Sequence, residues 1–260
     1  MTTHLKNTAA VERTEELKMA AQEAGADLVG IAGLEPFKRE GAVLPPDLLA
    51  PFTYAVSLAV RLDDSIINAI ENAPTPDYAR HYRAVNAALD GLSAGLVEWI
   101  VSRGFSARAV PASRIEDEAN LLAGISHKAV ARMAGLGWQG KSLLIVSPQY
   151  GPRIRLATVL TDMPLQPGRP VKNRCGTCDR CAKACPASAI RNVRTEGRYA
   201  SREAALHFNR CVEQTLQFKA RPGIGTSICG VCVKVCPFGR GSASGREVPI
   251  VRGIRSGPFR

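Results

Sequence analysis

Apolar positions recur at helical spacing between residues 10 and 25, through Val11, Leu17, Ala20, Ala21 and Ala24, until Gly25 stops them. The spacing predicts an opening helix. Two short apolar runs bounded by turn residues, Asp27–Ala32 and Tyr54–Val60, read as buried strands. From Pro76 to Gly104 apolar residues fall three and four apart, through Val85, Leu89, Leu92, Leu96 and Ile100, which predicts a long core-packed helix. A strand at Ala107–Val110, a helix over roughly Asn120–Ala134 and strands at Leu143–Val146 and Ile154–Leu160 complete the pattern. Helices and strands alternate, so the class is α/β or α+β.

The proline-rich stretch MPLQPGRP, residues 163–170, marks a boundary before a cysteine-bearing region. Three parts are expected: a core over 1–165, a cysteine module over 166–240, and a Gly, Ser and Arg tail over 241–260 with little to bury. The length of 260 residues gives each of the first two room for a core. The polar start MTTHLKNTAAVERTEELK lacks the apolar stretch of a signal peptide, which points to the cytoplasm and reduced thiols. No run approaches 18 consecutive apolar residues, and no membrane span is expected.

Charge changes the picture. Residues 171–260 hold 17 Lys and Arg against 5 Asp and Glu, while residues 1–170 hold 17 against 18. The whole basic excess lies with the cysteines. It either offsets anionic metal clusters or forms an electropositive face for an acidic electron donor or RNA.

The cysteines fall into two motifs. Cys175, Cys178, Cys181 and Cys185 precede Pro186; Cys211, Cys229, Cys232 and Cys236 precede Pro237. Short spacings let one loop curl around a cube of iron and sulfide, while the fourth thiolate, at the C-x-x-x-C-P end, reaches toward a different cluster. One cluster should then take Cys175, Cys178, Cys181 and Cys236, and the other Cys211, Cys229, Cys232 and Cys185. Structural zinc prefers two C-x-x-C pairs to this pattern. Two [4Fe–4S] clusters are the expectation.

Ahead of the module, residues 135–142 read GLGWQGKS and satisfy the phosphate-loop pattern G-x-x-x-x-G-K-[ST]. That loop should follow a strand and open a helix. Here a helix precedes and the apolar strand LLIV follows, so a tight turn around a core Trp, or a ligand approached closely by backbone, fits better.

Taken with the cysteines, Ala134-Gly135-Leu136-Gly137-Trp138-Gln139-Gly140-Lys141, Pro148, Gly151 and Leu160-Thr161-Asp162 resemble the epoxyqueuosine reductases, relatives of the reductive dehalogenases. Gly25–Ala32 and Tyr78–Tyr82 resemble further family segments. The resemblance implies an α+β protein, a nitroreductase-like α/β core followed by a ferredoxin-like double-cluster module. It implies cobalamin bound between the two, with electrons passing from the clusters to the corrin cobalt, and an external donor such as ferredoxin or flavodoxin. Gly137, Trp138, Gly140, Lys141, Ile145 and Leu156 would line the corrin.

Two departures stand out. The family's proton-donating Asp after a strand is replaced by Pro111, in Ala109-Val110-Pro111-Ala112-Ser113, and the following segment, Arg114–Ser126, is longer. Catalytic protons would then come from a new position, with His127 and Asp117 the leading candidates and Glu116 beside them. The residues after Cys236 carry no helical-repeat extension of the kind that recognises tRNA, so a tRNA substrate is doubtful. A cobalamin-dependent iron–sulfur reductase and an electron-transfer protein serving a partner's redox centre are the two readings.

Overall fold

The computed structural model describes residues 2–40 and 43–240, with side chains from Thr8 onward; the tail over 241–260 lies outside the described residues. In chain order the elements are α1 (Thr2–Glu23), β1 (Leu28–Gly33), α2 (Glu35–Glu40), β2 (Tyr54–Arg61), α3 (Asp64–Asn68), α4 (Pro76–Val101), β3 (Ala107–Val110), α5 (His127–Met133), β4 (Trp138–Gln139), β5 (Ile145–Val146), β6 (Ile154–Thr161), α6 (Arg180–Lys183), α7 (Arg202–Ala205), α8 (Phe208–Lys219) and α9 (Val231–Val235).

Four strands form one sheet in the order β1-β2-β6-β3, with every neighbouring pair antiparallel. With its helices set beside an antiparallel sheet, the fold is α+β. The central strand β2 is buried on both faces, which is why it reads as a continuous apolar run. Val56, Leu58 and Val60 point into one apolar cluster with α1 and α4, while Ala55 and Ala59 point into a second with α5 and the 43–52 segment. Helix α4 is long and apolar enough to cross a membrane, yet it packs on the sheet with Leu89, Leu96 and Ile100 fully buried. Thr75 caps its first turn and Pro76 sits where a missing N–H costs nothing.

Two elements differ from their sequence patterns. The helix expected over 120–134 begins only at His127, capped by Ser126. Upstream, Asp117 accepts hydrogen bonds from the backbone and side chain of Asn120 and bridges to Leu122, and these local bonds compete with helix formation. The strand expected from Leu143 starts at Ile145, because Leu143 takes a left-handed φ of 62° inside the loop joining β4 to β5.

The module docks on the core through shared packing. Ile224, Ile228, Val231 and Val233 belong to the same apolar cluster as Ile67, Ile70 and Tyr78. A second seam joins the 148–151 turn to the residues after Cys236. A Cβ on Gly151 would lie 2.0 Å from the Phe238 carbonyl oxygen, so the two backbones meet where only glycine fits.

Candidate functional site

All eight cysteines are free and partly exposed. The structure brings them together in two quartets that interleave the motifs. Burial pushes Cys236 up to about 11, and Cys175, Cys181 and Cys178 push the same way. Burial likewise lifts Cys181 to about 11, with Cys175 and Cys178 adding to it. In the other group burial raises Cys229 to about 11, with Cys211 and Cys185 behind it, and raises Cys232 well above the ordinary thiol value, with Cys229, Cys211 and Cys185 adding to it. Cys236 thus stands with the first motif and Cys185 with the second, the grouping that crossed ligation requires. Half-buried thiols that oppose one another's ionisation form a donor set that a cation relieves.

The spacing also distinguishes between metals. A tetrahedral zinc would draw its thiolates to within about 4 Å of one another. Among the described residues no three His, Cys, Asp or Glu side chains converge closely enough for a single ion. Two thiol quartets, each completed by the cysteine at the other motif's C-P end, suit iron–sulfur cubes, so the residues fit two [4Fe–4S] clusters.

The glycine-rich turn reaches the first quartet. Gly135, at φ 79°, ends α5 and turns the chain into the β4–β5 hairpin. Trp138 is 2% exposed, and its indole N–H donates to Cys175 Sγ at 3.4 Å. Lys141, 5% exposed, donates to the Cys178 carbonyl at 2.8 Å and to Asn192 Oδ1 at 2.9 Å. Asn173 Nδ2 donates to the Gln139 and Thr195 carbonyls, and its Oδ1 accepts the Cys175 N–H. The phosphate-loop lookalike is therefore a clasp on the first cysteine loop. Its lysine is already used.

The second quartet meets α3, α4 and α5. Gly230, at φ 85°, starts α9, and a Cβ there would strike Ile70 and Tyr78. Burial raises the Tyr78 hydroxyl, with Arg155 opposing and Tyr82, Cys232 and Cys229 reinforcing. Burial lowers half-buried Lys128 to about 8, helped by Arg202 and Arg155 and opposed by Cys211 and Cys232. Arg153, 1% exposed, pairs with Asp64 at 2.7 Å and also reaches Asn68 and the Lys234 carbonyl, which ties α9 to the core.

Both expected acids have hydrogen-bond partners within the fold. His127 Nε2 lies 3.0 Å from the Pro111 carbonyl, which can only accept, so Nε2 carries the hydrogen, and Nδ1 faces Thr158 Oγ1 at 2.8 Å. Burial holds its pKa below the ordinary value, so the neutral ring is the stable form. Asp117 is held low by its bonds to Asn120 and shapes the loop. Glu116 pairs with Arg114 at 2.9 Å.

The six residues expected around a corrin each have partners within the fold. A Cβ on Gly137 would sit 2.4 Å from the Val146 carbonyl oxygen, and one on Gly140 2.8 Å from a Val146 methyl, so both glycines serve the hairpin's own close packing. Trp138 and Lys141 are committed to the cysteine loop. Ile145 is buried in the apolar cluster beneath the sheet, and Leu156 packs against that cluster. A cavity of about 330 Å³ lies on the other side of Gly135, between α1, β1 and Pro167, at the small end of the range for drug-sized ligands and too small for a corrin with its amide arms.

Sequence reasoning placed Tyr78 in a family-like segment without giving it a role, and missed Lys128, Arg153, Asn173, Asn192 and Phe238. Asn173, two residues before Cys175, and Phe238, directly after Cys-Pro, carried a signal by adjacency. The others are brought in by tertiary packing alone.

Residues 174–239 match the family described as a 4Fe-4S double cluster binding domain. The chain is 30% identical over 270 residues to the tetrachloroethene reductive dehalogenase of Sulfurospirillum multivorans, covering 89% of this chain and 51% of that protein. It is 34% identical over 119 residues to the epoxyqueuosine reductase of Listeria monocytogenes, covering 45% of this chain and 30% of the relative. Among solved structures, a catabolic reductive dehalogenase in complex with 3-bromo-4-hydroxybenzoic acid superposes with a TM-score of 0.70 at 23% identity, over 90% of this chain and 32% of the other. An epoxyqueuosine reductase with a tRNA-Tyr stem loop gives 0.59 at 24% identity, over 89% of this chain and 66% of the other. The matched stretches cover about half of the dehalogenase and less than a third of the Listeria enzyme. The chain thus carries a double-cluster module, and its likeness to the epoxyqueuosine reductases and reductive dehalogenases runs through the core as well.

Proposed function

We propose that this chain is an iron–sulfur oxidoreductase that relays single electrons through two adjacent clusters to an acceptor at the core. One observation carries the reading: the two thiol quartets abut, since α6, which carries Cys181 of the first, packs against α9, which carries Cys232 of the second. Clusters bound there would each take up and release one electron. The protein's own part is to hold the two sites at fixed separation. Crossing Cys185 and Cys236 between them does this, as do the packing of α9 on the core and the Lys141 clasp.

Cobalamin as the acceptor is supported by the relatives, one of which is a reductive dehalogenase whose structure suggests a mechanism for B12-dependent dehalogenation. Its place would lie outside the Gly137–Lys141 turn, whose side chains already serve the cysteine loop. That commitment also favours a second reading, electron transfer to the redox centre of a partner protein. An acidic donor such as a ferredoxin or flavodoxin suits the basic module in either case.

Anaerobic reconstitution with iron and sulfide, followed by titration with cobalamin, tests the proposal. About eight irons per chain and a change in the cobalamin spectrum support the reductase with a corrin acceptor. Eight irons with no spectral change favour the electron-transfer reading. About four irons, or stoichiometric zinc, overturns both.

A further inference from the structure

We infer that the Trp138 indole N–H sets the reduction potential of the first cluster, holding it above the value that the same four cysteines would give alone. Among the described residues Trp138 is the side chain that donates to a cysteine sulfur, at 3.4 Å to Cys175 Sγ. Reduction adds negative charge that spreads onto the ligand sulfurs, and a donor aimed at one of them stabilises the reduced form more than the oxidised one. The site is nearly water-free at the indole, where such a bond is electrostatically strengthened.

The donor is also held in place. Trp138 pairs with Val146 across the β4–β5 hairpin, so its backbone is fixed. Phe238 meets the indole edge-on with ring centroids 4.9 Å apart, and the Arg174 guanidinium lies 5.9 Å from the indole centroid and 5.4 Å from that of Phe238. Arg174 directly precedes Cys175, and Phe238 follows Cys236 by two residues. Both neighbours of the ring are therefore chained to ligands of the quartet that its N–H addresses. The second quartet has a different donor, the backbone N–H of Ala189 on Cys185 Sγ at 3.3 Å, which no side-chain substitution removes. The inference rests on the double-cluster reading of the module.

The test is a redox titration of the reconstituted protein followed by electron paramagnetic resonance, with iron measured on the same samples. Trp138→Phe keeps an aromatic ring against Phe238 but loses the donor. One midpoint should fall, by roughly a tenfold change in the reduction equilibrium, about 59 mV for one electron, while the other midpoint and the iron content stay put. Unchanged midpoints with about eight irons retained overturn the inference. Should the variant lose iron, 5-fluorotryptophan in a Trp99→Phe background leaves Trp138 as the labelled position, since the chain has two tryptophans. Its more acidic N–H should raise the same midpoint, and no movement overturns the inference. Fewer than two clusters in the unaltered protein instead removes the double-cluster reading beneath it.

Discussion

The sheet and the cysteine module solve the same problem with different means. In the sheet, β2 and β6 are buried on both faces, and two apolar clusters close over them from either side. The module's own apolar cluster is small, with Tyr199, Ala205 and Leu206 beside Leu143, and its helices α6, α7 and α9 run only four or five residues. Helices that short do not persist in water by themselves. The core can be held by hydrophobic burial, whereas the module depends on metal and on its seams with the core.

Stripping iron from the reconstituted protein with a chelator should break this contrast most visibly. Backbone amides of 174–239 should lose hydrogen-exchange protection while those of β2 and β6 keep theirs, and equal loss in both would show that the core is not independent. Next in size is Cys236→Ala. Iron should fall from about eight to about four per chain, with loss of the cluster held by Cys175, Cys178 and Cys181, a result that tests the interleaving directly. Loss of only the partner cluster would reverse the assignment.

The seams come third. Lys141→Met leaves the Cys178 carbonyl and Asn192 Oδ1 unpaired in a buried place, a cost of about 1–3 kcal/mol, and should quicken chelator release from the first quartet ahead of the second. The smallest effect concerns the core. His81 and His127 both have pKa values lowered by burial, so each binds a proton less readily in the fold than in the unfolded chain, where histidine titrates near about 6.5. Their contribution is whole above that pH and is lost as pH falls through it toward the lower folded values. Thermal melts between pH 8 and 5.5 should show this decline, and His81→Gln should flatten it, because His81 Nε2 accepts the Asp63 N–H only when unprotonated.

How legible each region was follows from the same contrast. The ends of β3 and the start of α4 could be read to the residue, because period and capping chemistry are local signals. The crossed ligand sets are an expectation drawn from spacing, which the iron content of Cys236→Ala tests. The Gly137–Lys141 turn was legible as a tight turn but not in its role. Only the fold shows that Trp138 and Lys141 face residues some 37 positions away. His127 illustrates the limit most simply. An ionisable residue at the right place along the chain became a tie between Pro111 and Thr158, because β6 happened to bring a hydroxyl to its other nitrogen.

The interleaving of the motifs also imposes an order of manufacture. Chains emerge from the ribosome N-terminal end first, at about 5–20 residues per second, so Cys175, Cys178 and Cys181 appear roughly 3–11 seconds before Cys236. During that interval the first three thiols have no fourth partner from their own quartet, and Cys185 likewise waits for Cys211, Cys229 and Cys232. Neither site can be finished while the chain is still growing through the module, and both become complete within a few residues of each other. The two sites are thus completed almost together, and a chain truncated just before Cys236 would be left with an incomplete first site beside a complete second set of thiols.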